Sequence, residues 1–243
     1  MRGLFVTATD TDVGKTILSA ALLAAMAAEG EPVRAFKPVV TGLEQRAPAP
    51  GRGAWPPDHE LLASAAGMSP EDVTPLRYGP AASPHLAARL AGERIDADAL
   101  LARAHAGDPD AMLIVEGVGG LLVPLAEDFS VCDLAAALGL PVLIAARPGL
   151  GTISHTLLTL QAARAAKLDV CAVVLTPWPP RPDAIERSNR ETIARLGAVE
   201  VETLPRVAGP ATDELARAGG ELPWRRWLAD SAERQPLTRL PAG

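Results

Sequence analysis

The stretch LFVTATDTDVGKT, Leu4 to Thr16, decides how the rest of the chain is read. It opens as an apolar strand and ends in Gly14-Lys15-Thr16, the closing half of a phosphate loop. The G-x-x-x-x-G-K-[ST] pattern asks for glycine at position 9, where Thr9 stands, and one place earlier the chain has Ala8. As a bare pattern the match fails. The physics beneath it is less strict. A strand must deliver the chain to a turn whose N–H groups point inward, and a lysine must neutralise the β and γ phosphates. A hydroxyl must then hold Mg²⁺ at a helix N-terminus, whose partial positive charge favours anions. Residues 3–8, the turn 9–14, Lys15, Thr16 and a helical run to Glu29 supply these parts in order. The competing reading is an ordinary strand-to-helix turn, with Thr16 as a cap and Lys15 in solvent. VGKT at such a junction favours nucleotide binding.

Outward from this segment, apolar runs of strand length alternate with helical patterns. The runs are 3–8, 32–40, 111–117, 141–147, 169–176 and 199–207; helices are expected from Thr16, Ser130, Thr152 and Asp183. Continuous apolarity in the strands predicts burial on both faces, the mark of a parallel sheet between two helix layers. The fold class is α/β: a single domain over residues 1–243 with a mostly parallel central sheet flanked by helices on both faces. Gly30, Gly139 and Gly197 stand where left-handed helix ends are wanted, and Pro32 and Pro141 follow as strand starts. LEQRAPAPGRGAWPP (43–57) is too rich in Pro and Gly for regular structure and reads as a mobile surface loop. Residues 66–82 also read as irregular, and 222–243 as an amphipathic end helix, with Trp224 and Trp227 packed on the body, plus a tail.

A net charge of −6 argues against a nucleic-acid or anionic-membrane surface, which needs clustered Lys and Arg. No run of about eighteen apolar residues and no signal-peptide pattern is visible, so a soluble cytoplasmic protein is expected. Cys132 and Cys171 stand alone in apolar runs and read as buried thiols.

Two further segments bear on chemistry. FKPVVTG puts Lys37 and Thr41 at the strand-end edge that also carries the phosphate loop, where a second ammonium would offset the charge on a transferring phosphoryl group. A strand-end lysine reaching for water is the alternative. LIVEGVGG ends a buried strand in Glu116 and a turn with Gly117, Gly119 and Gly120; the carboxylate suits Mg²⁺, and the glycines admit a ligand close to the backbone. A solvated Glu in a tight turn is the alternative. Asp58, before a helical run, is compatible with a metal ligand or with a simple N-cap.

Five segments together resemble one family, the dethiobiotin synthetases: TATDTDVGKT (7–16), KPVVTG (37–42), SPH (83–85), VEGVGGLLVPL (115–125) and GLGTISHTLLT (149–159). The family's loop is similar in having five residues before its Gly-Lys-Thr; Ala8 in place of the opening glycine is a departure. The resemblance implies a homodimer with its active site at the subunit interface. It implies conversion of 7,8-diaminononanoate, CO₂ (or bicarbonate) and MgATP to dethiobiotin, ADP and phosphate, the penultimate step of biotin biosynthesis. Carried over, Lys37, Lys15 and Thr11 would act on the phosphates and the carbamate. Asp12, Val13, Gly14, Lys15, Thr16 and Ile17 would line the phosphates, with Gly117, Val118 and Gly119 beside them. Thr16, Asp58 and Glu116 would hold Mg²⁺. Thr41 and Gly120 would face the diamine, and Leu150, Gly151, Thr152, Ile153 and Ser154, at a helix start, would bind its carboxylate from across the interface.

A second departure touches the base site. Where better-known members carry an Asn that reads adenine, this chain has Thr176, which offers a single hydroxyl, and Pro177, which has no N–H, in place of an amide that donates and accepts at a base edge. Other nucleoside triphosphates are therefore expected to serve. Pro205, Arg206 and Val207 border the nucleotide by position, and Trp178 reads as a stacking or a packing residue. Two rival activities remain on the sequence: a P-loop amidoligase, for which there is no glutaminase constellation, and a partitioning ATPase, whose extra lysine near the loop's start is missing.

Overall fold

The computed structural model describes residues 1–45 and 55–229; most of the expected loop (46–54) and the tail (230–243) lie outside the described residues. β1 (Gly3–Ala8) passes through the phosphate-loop turn to α1 (Lys15–Ala28), then to β2 (Val33–Phe36), β3 (Val39–Val40) and a 3₁₀ turn, Leu43–Gln45. Next come α2 (Asp58–Ala66), α3 (Pro70–Val73), β4 (Leu76–Arg77), α4 (Pro84–Leu90), α5 (Ala97–His105) and β5 (Met112–Glu116). A hairpin of β6 (Pro124–Ala126) and β7 (Phe129–Ser130) leads to α6 (Val131–Leu138), β8 (Val142–Ala146) and α7 (Thr152–Ala165). The order closes with β9 (Val170–Trp178), α8 (Ala184–Gly197), β10 (Val201–Pro205), α9 (Thr212–Gly220) and α10 (Trp224–Ala229).

Six strands form one parallel sheet in the order β10-β9-β8-β1-β5-β2. Alternate side chains of each central strand feed opposite cores: Leu4, Val6 and Ala8 of β1 join one, Phe5 the other, and Leu143 and Val142 of β8 divide the same way. That two-sided burial is what continuous apolar strands encode. Both cysteines are buried thiols, as expected. Because β1 lies inside the sheet, its C-terminal end delivers residues 9–14 to the crevice where the connections on its two sides diverge, the position at which such sheets bind ligands. The helix that follows is almost wholly buried from Leu18 to Met26. Its alanines let neighbours come close: a Cβ on Gly219 of α9 would lie 2.0 Å from Ala21 O.

Four local expectations are corrected. The run 32–40 is two strands rather than one. Pro38 offers no N–H for a ladder, Lys37 N donates to Val73 O at 2.9 Å, and β3 leaves the main sheet to pair with β4. The stretch 66–82 is accordingly not irregular, since it holds α3 and β4. Gly197 ends α8 in helical conformation, and it is Ala198, at φ 42°, that turns left-handed. The glycine is there for packing, because a Cβ would meet Leu160 Cδ1 at 2.9 Å. Part of the expected 43–57 loop is also ordered, Leu43 and Glu44 within the 3₁₀ turn and Trp55–Pro57 leading into α2. Trp224 and Trp227 are buried in α10, with Trp227 Nε1 donating to Glu200 Oε1 at 2.9 Å.

Candidate active site

The phosphate-loop turn keeps its shape without an opening glycine. Ala8 is the last residue of β1 and has no positive φ; the left-handed residues of the turn are Asp12, at φ 55°, and Gly14, at φ 104°. Asp tolerates that region better than most side chains, so nothing in this backbone demands glycine at position 8. Gly14 is the N-cap of α1 and makes no side-chain cap, and Thr16 does not cap either. Its Oγ1 instead donates to Glu116 Oε1 at 2.8 Å.

Glu116 is the end residue of β5 and fully buried. The same Oε1 accepts from Lys37 Nζ at 2.6 Å, and that ammonium also pairs with Asp58 Oδ2 at 3.1 Å. Lys37 is 4% exposed, which rules out a lysine reaching for water. Asp58 is the first residue of α2, whose N-cap is Pro57, so its carboxylate turns to the cluster rather than capping the helix. Lys15, 7% exposed, donates to Asp10 O at 3.3 Å. Burial pushes the Lys15 ammonium below the ordinary lysine value, with Glu116 pulling the other way and Lys37 adding to the fall. Burial acts on Lys37 too, but the charges of Glu116 and Asp58 and the hydrogen bonds to both outweigh it and hold its pKa above the ordinary value.

Both lysines line one cleft of about 380 Å³, together with Thr11, Asp12, Gly14, Thr16, Ile17, Thr41, Asp58, Val118 and Gly119. Val13 faces the core instead. Gly117 continues the strand ladder through Val6 O, and its position is tight against Val131. Gly120 lies over Ala8 O. Thr176 is buried against Gly14, and Pro177 follows it toward Trp178, which pairs in register with Pro205 while Arg206 N donates to Trp178 O at 3.2 Å. Val207 packs on the same core cluster as Ile17 and Trp55, and Trp178 packs on the opposite one. Leu150, Gly151, Thr152, Ile153 and Ser154 do not line the cleft; they form the start of α7, with Gly151 as N-cap at φ 87° and Leu150 98% exposed.

The sequence reading overlooked three contributions. Val39, Leu43, Trp55 and Leu61 give the cleft an apolar wall; Trp55 stands three residues before Asp58, a proximity that had signalled nothing. Arg147, at the end of β8, donates to Thr11 O at 3.1 Å. Asn189, buried in α8, donates through Nδ2 to Pro148 O at 2.9 Å and Gly149 O at 3.1 Å. A polar residue in helical register with the buried Ile193 and Gly197, on the inward face of α8, is the available clue.

A phosphate-loop turn at the end of an inner parallel strand, with a buried Lys37–Glu116 pair joined by Thr16 beside it, defines a P-loop nucleotide-dependent enzyme. A family model described as an AAA domain matches residues 2–209. The chain is 43% identical over 212 residues to the ATP-dependent dethiobiotin synthetase of Anaeromyxobacter sp. (strain Fw109-5), covering 82% of this chain and 91% of that one. It is 37% identical over 206 residues to the enzyme of the same name from Bacillus subtilis (strain 168), covering 83% and 85%. It is 36% identical over 242 residues to that of Acidiphilium cryptum (strain JF-5), covering 96% and 100%. The chain belongs to the dethiobiotin synthetase family.

Proposed function

We propose that the chain uses ATP to carboxylate 7,8-diaminononanoate and close its ureido ring, giving dethiobiotin, ADP and phosphate. The observation that carries the reading is the convergence of Lys15 and Lys37 on one cleft beside Thr16, Asp58 and Glu116. One amine of the diamine takes up CO₂ as a carbamate and releases a proton. A carbamate oxygen then attacks the γ-phosphorus of ATP, forming a carbamic-phosphoric anhydride as the bond to ADP breaks. The second amine attacks the carbamoyl carbon and expels phosphate. None of these steps needs a nucleophile from the protein, so its contribution is positioning and charge stabilisation.

Lys15 and the turn amides from Thr11 to Thr16 hold the β and γ phosphates. Lys37, on a flexible stem, reaches the terminal phosphate and the carbamate oxygen attacking it. Thr41 faces the amines, and the apolar wall keeps water from the anhydride. The donor set fits Mg²⁺: two carboxylates and a hydroxyl are hard oxygen ligands, and among the described residues Glu116 Oε2 is buried without a hydrogen-bond partner. Thr16, Asp58 and Glu116 would hold the ion, which when bound neutralises charge on the β and γ phosphates. The α7 start, where the N-terminal end of the helix carries partial positive charge, suits the substrate carboxylate. Because it lies outside the cleft of its own chain, we assign that role to a second copy in a homodimer. A cytoplasmic location goes with this reading, since ATP and bicarbonate are supplied there; no described helix is long and apolar enough to cross a membrane.

The test is the dependence of ADP release on both co-substrates. Release that requires the diamine and bicarbonate together supports the reading; release without either, or driven by a carboxylate and ammonia, defeats it.

A further inference from the structure

The Lys37 ammonium stands between the two carboxylates that the proposed function gives to the metal. It is 2.6 Å from Glu116 Oε1 and 3.1 Å from Asp58 Oδ2, and Thr16 Oγ1 donates to the same Glu116 oxygen at 2.8 Å. A divalent ion placed among these ligands would face an ammonium at short range, with little water to screen the repulsion, since Lys37 is 4% exposed and Glu116 is not exposed at all. Within the cluster the charges of Lys15 and Lys37 offset those of Asp58 and Glu116, and Asp12, at the solvent-exposed edge of the cleft, adds one screened negative charge. A bare divalent ion therefore meets little net attraction at the Asp58–Glu116 pair and must drive an ammonium off its partners with no phosphate ready to receive it. A triphosphate changes both terms, because it brings negative charge into the cleft that two ammonium groups can follow.

We infer that Lys37 acts as a tethered cation, holding Asp58 and Glu116 until a nucleotide arrives, so that the divalent ion enters with the triphosphate and not before it. This rests on the reading of Thr16, Asp58 and Glu116 as metal ligands. Its consequence is that loading the metal and releasing the catalytic lysine toward the terminal phosphate are one event. The long, unbranched side chain of lysine suits that exchange, since its ammonium is a compact charge that turns on several bonds. An enzyme with the metal bound but Lys37 still on its carboxylates would be unable to stabilise the transferring phosphoryl group.

The experiment is titration of the full-length, nucleotide-free protein with Mn²⁺, followed by the electron paramagnetic resonance signal of the free ion. Wild type is expected to bind weakly, and Lys37→Met at least about tenfold more tightly, with the gain lost in Lys37→Met combined with Glu116→Gln. Equal affinity in wild type and Lys37→Met overturns the inference. In parallel, Mn²⁺ is titrated with a nonhydrolysable triphosphate into wild type and Glu116→Gln. Loss of binding in the variant supports the metal-ligand reading independently; no loss defeats that reading and the inference with it. Because Lys37→Met strands a buried carboxylate and puts folding at risk, crystals of wild type provide a measurement free of substitutions. Soaked with Mn²⁺ alone, they should show no anomalous peak between Asp58 and Glu116. With Mn²⁺ and the triphosphate they should show the peak and a displaced Lys37. A peak with Mn²⁺ alone overturns the inference.

Discussion

Thr176 packs its methyl group against Gly14: a Cβ on residue 14 would stand 2.9 Å from Thr176 Cγ2. The end of β9 is thus in direct contact with the phosphate-loop turn. Gly14 has a second constraint, its φ of 104°. Gly14→Ala must clash and strain together, and nucleotide binding should be lost by calorimetry while Thr176→Val, of similar shape, retains it.

The same contact bears on base choice. With Thr176 committed to packing and Pro177 lacking an N–H, the strand end offers no amide-type pairing to a base edge. Such a pairing is worth about 1–3 kcal/mol. We expect kcat/KM for CTP and GTP within about tenfold of that for ATP, and a preference for ATP of several hundredfold would refute this.

Lys15 and Lys37 should affect stability with opposite signs. The Lys37 pKa is raised above its ordinary 10.5, so its stabilising contribution is complete below that value and disappears as pH climbs past it. The Lys15 pKa is lowered from the same 10.5; its charged form is a burden at neutral pH that is relieved as pH rises toward the ordinary value. Lys37→Met should therefore destabilise at neutral pH by about 3–5 kcal/mol, because it leaves Glu116 buried without its cation. Lys15→Met should stabilise by about 0.5–2 kcal/mol, and its gain over wild type should shrink as pH rises from neutral toward the ordinary lysine value of 10.5. Denaturant melts across that range check both signs. In steady-state assays Lys37→Met should also lose about 10²–10³ in kcat, as expected for removal of a donor at developing charge.

Asn189 offers a finer test of the α7 start. Its amide holds two successive carbonyls, those of Pro148 and Gly149, just ahead of Gly151. Asn189→Ala leaves both without that donor, at a stability cost of about 1–3 kcal/mol. We expect KM for the diamine to rise while KM for ATP does not; equal change in both would reduce Asn189 to a purely structural residue.

The proposed dimer makes Leu150 informative. At 98% exposed, it stands with Leu122 at 68% and Leu158 at 61% as an uncovered large apolar side chain. Sedimentation of wild type should give twice the chain mass. Leu150→Asp should shift it toward the monomer and abolish turnover without weakening nucleotide binding, and a fully active monomer would defeat the interfacial site.

How much of this the sequence discloses depends on the range of the forces involved. The central strands and α1 are legible because burial on both faces imposes a local pattern, as in Leu4–Ala8 or Leu113–Val115. Lys15 and Thr16 are legible because they follow the turn that uses them. Lys37, Asp58 and Glu116 can each be suspected singly, but their union depends on contacts spanning 79 residues between Lys37 and Glu116 and 100 between Thr16 and Glu116. Arg147 leaves no sign for the same reason: a donor to a distant carbonyl produces no periodicity. Gly197 misled because a glycine at a helix end has two uses, conformational freedom and lack of bulk, and its neighbours in space decide which applies.

The interruption of the strand after β2 has a bearing on how such an enzyme changes over time. The peptide of Lys37 hangs from Val73 O, at the end of α3, and the residues beyond it belong to the small β3–β4 ribbon. The reach of the Lys37 ammonium is therefore set by this peripheral bracket as well as by the end of β2 in the six-stranded framework. Drift in that bracket can retune the distance between phosphate donor and acceptor while the scaffold beneath stays untouched.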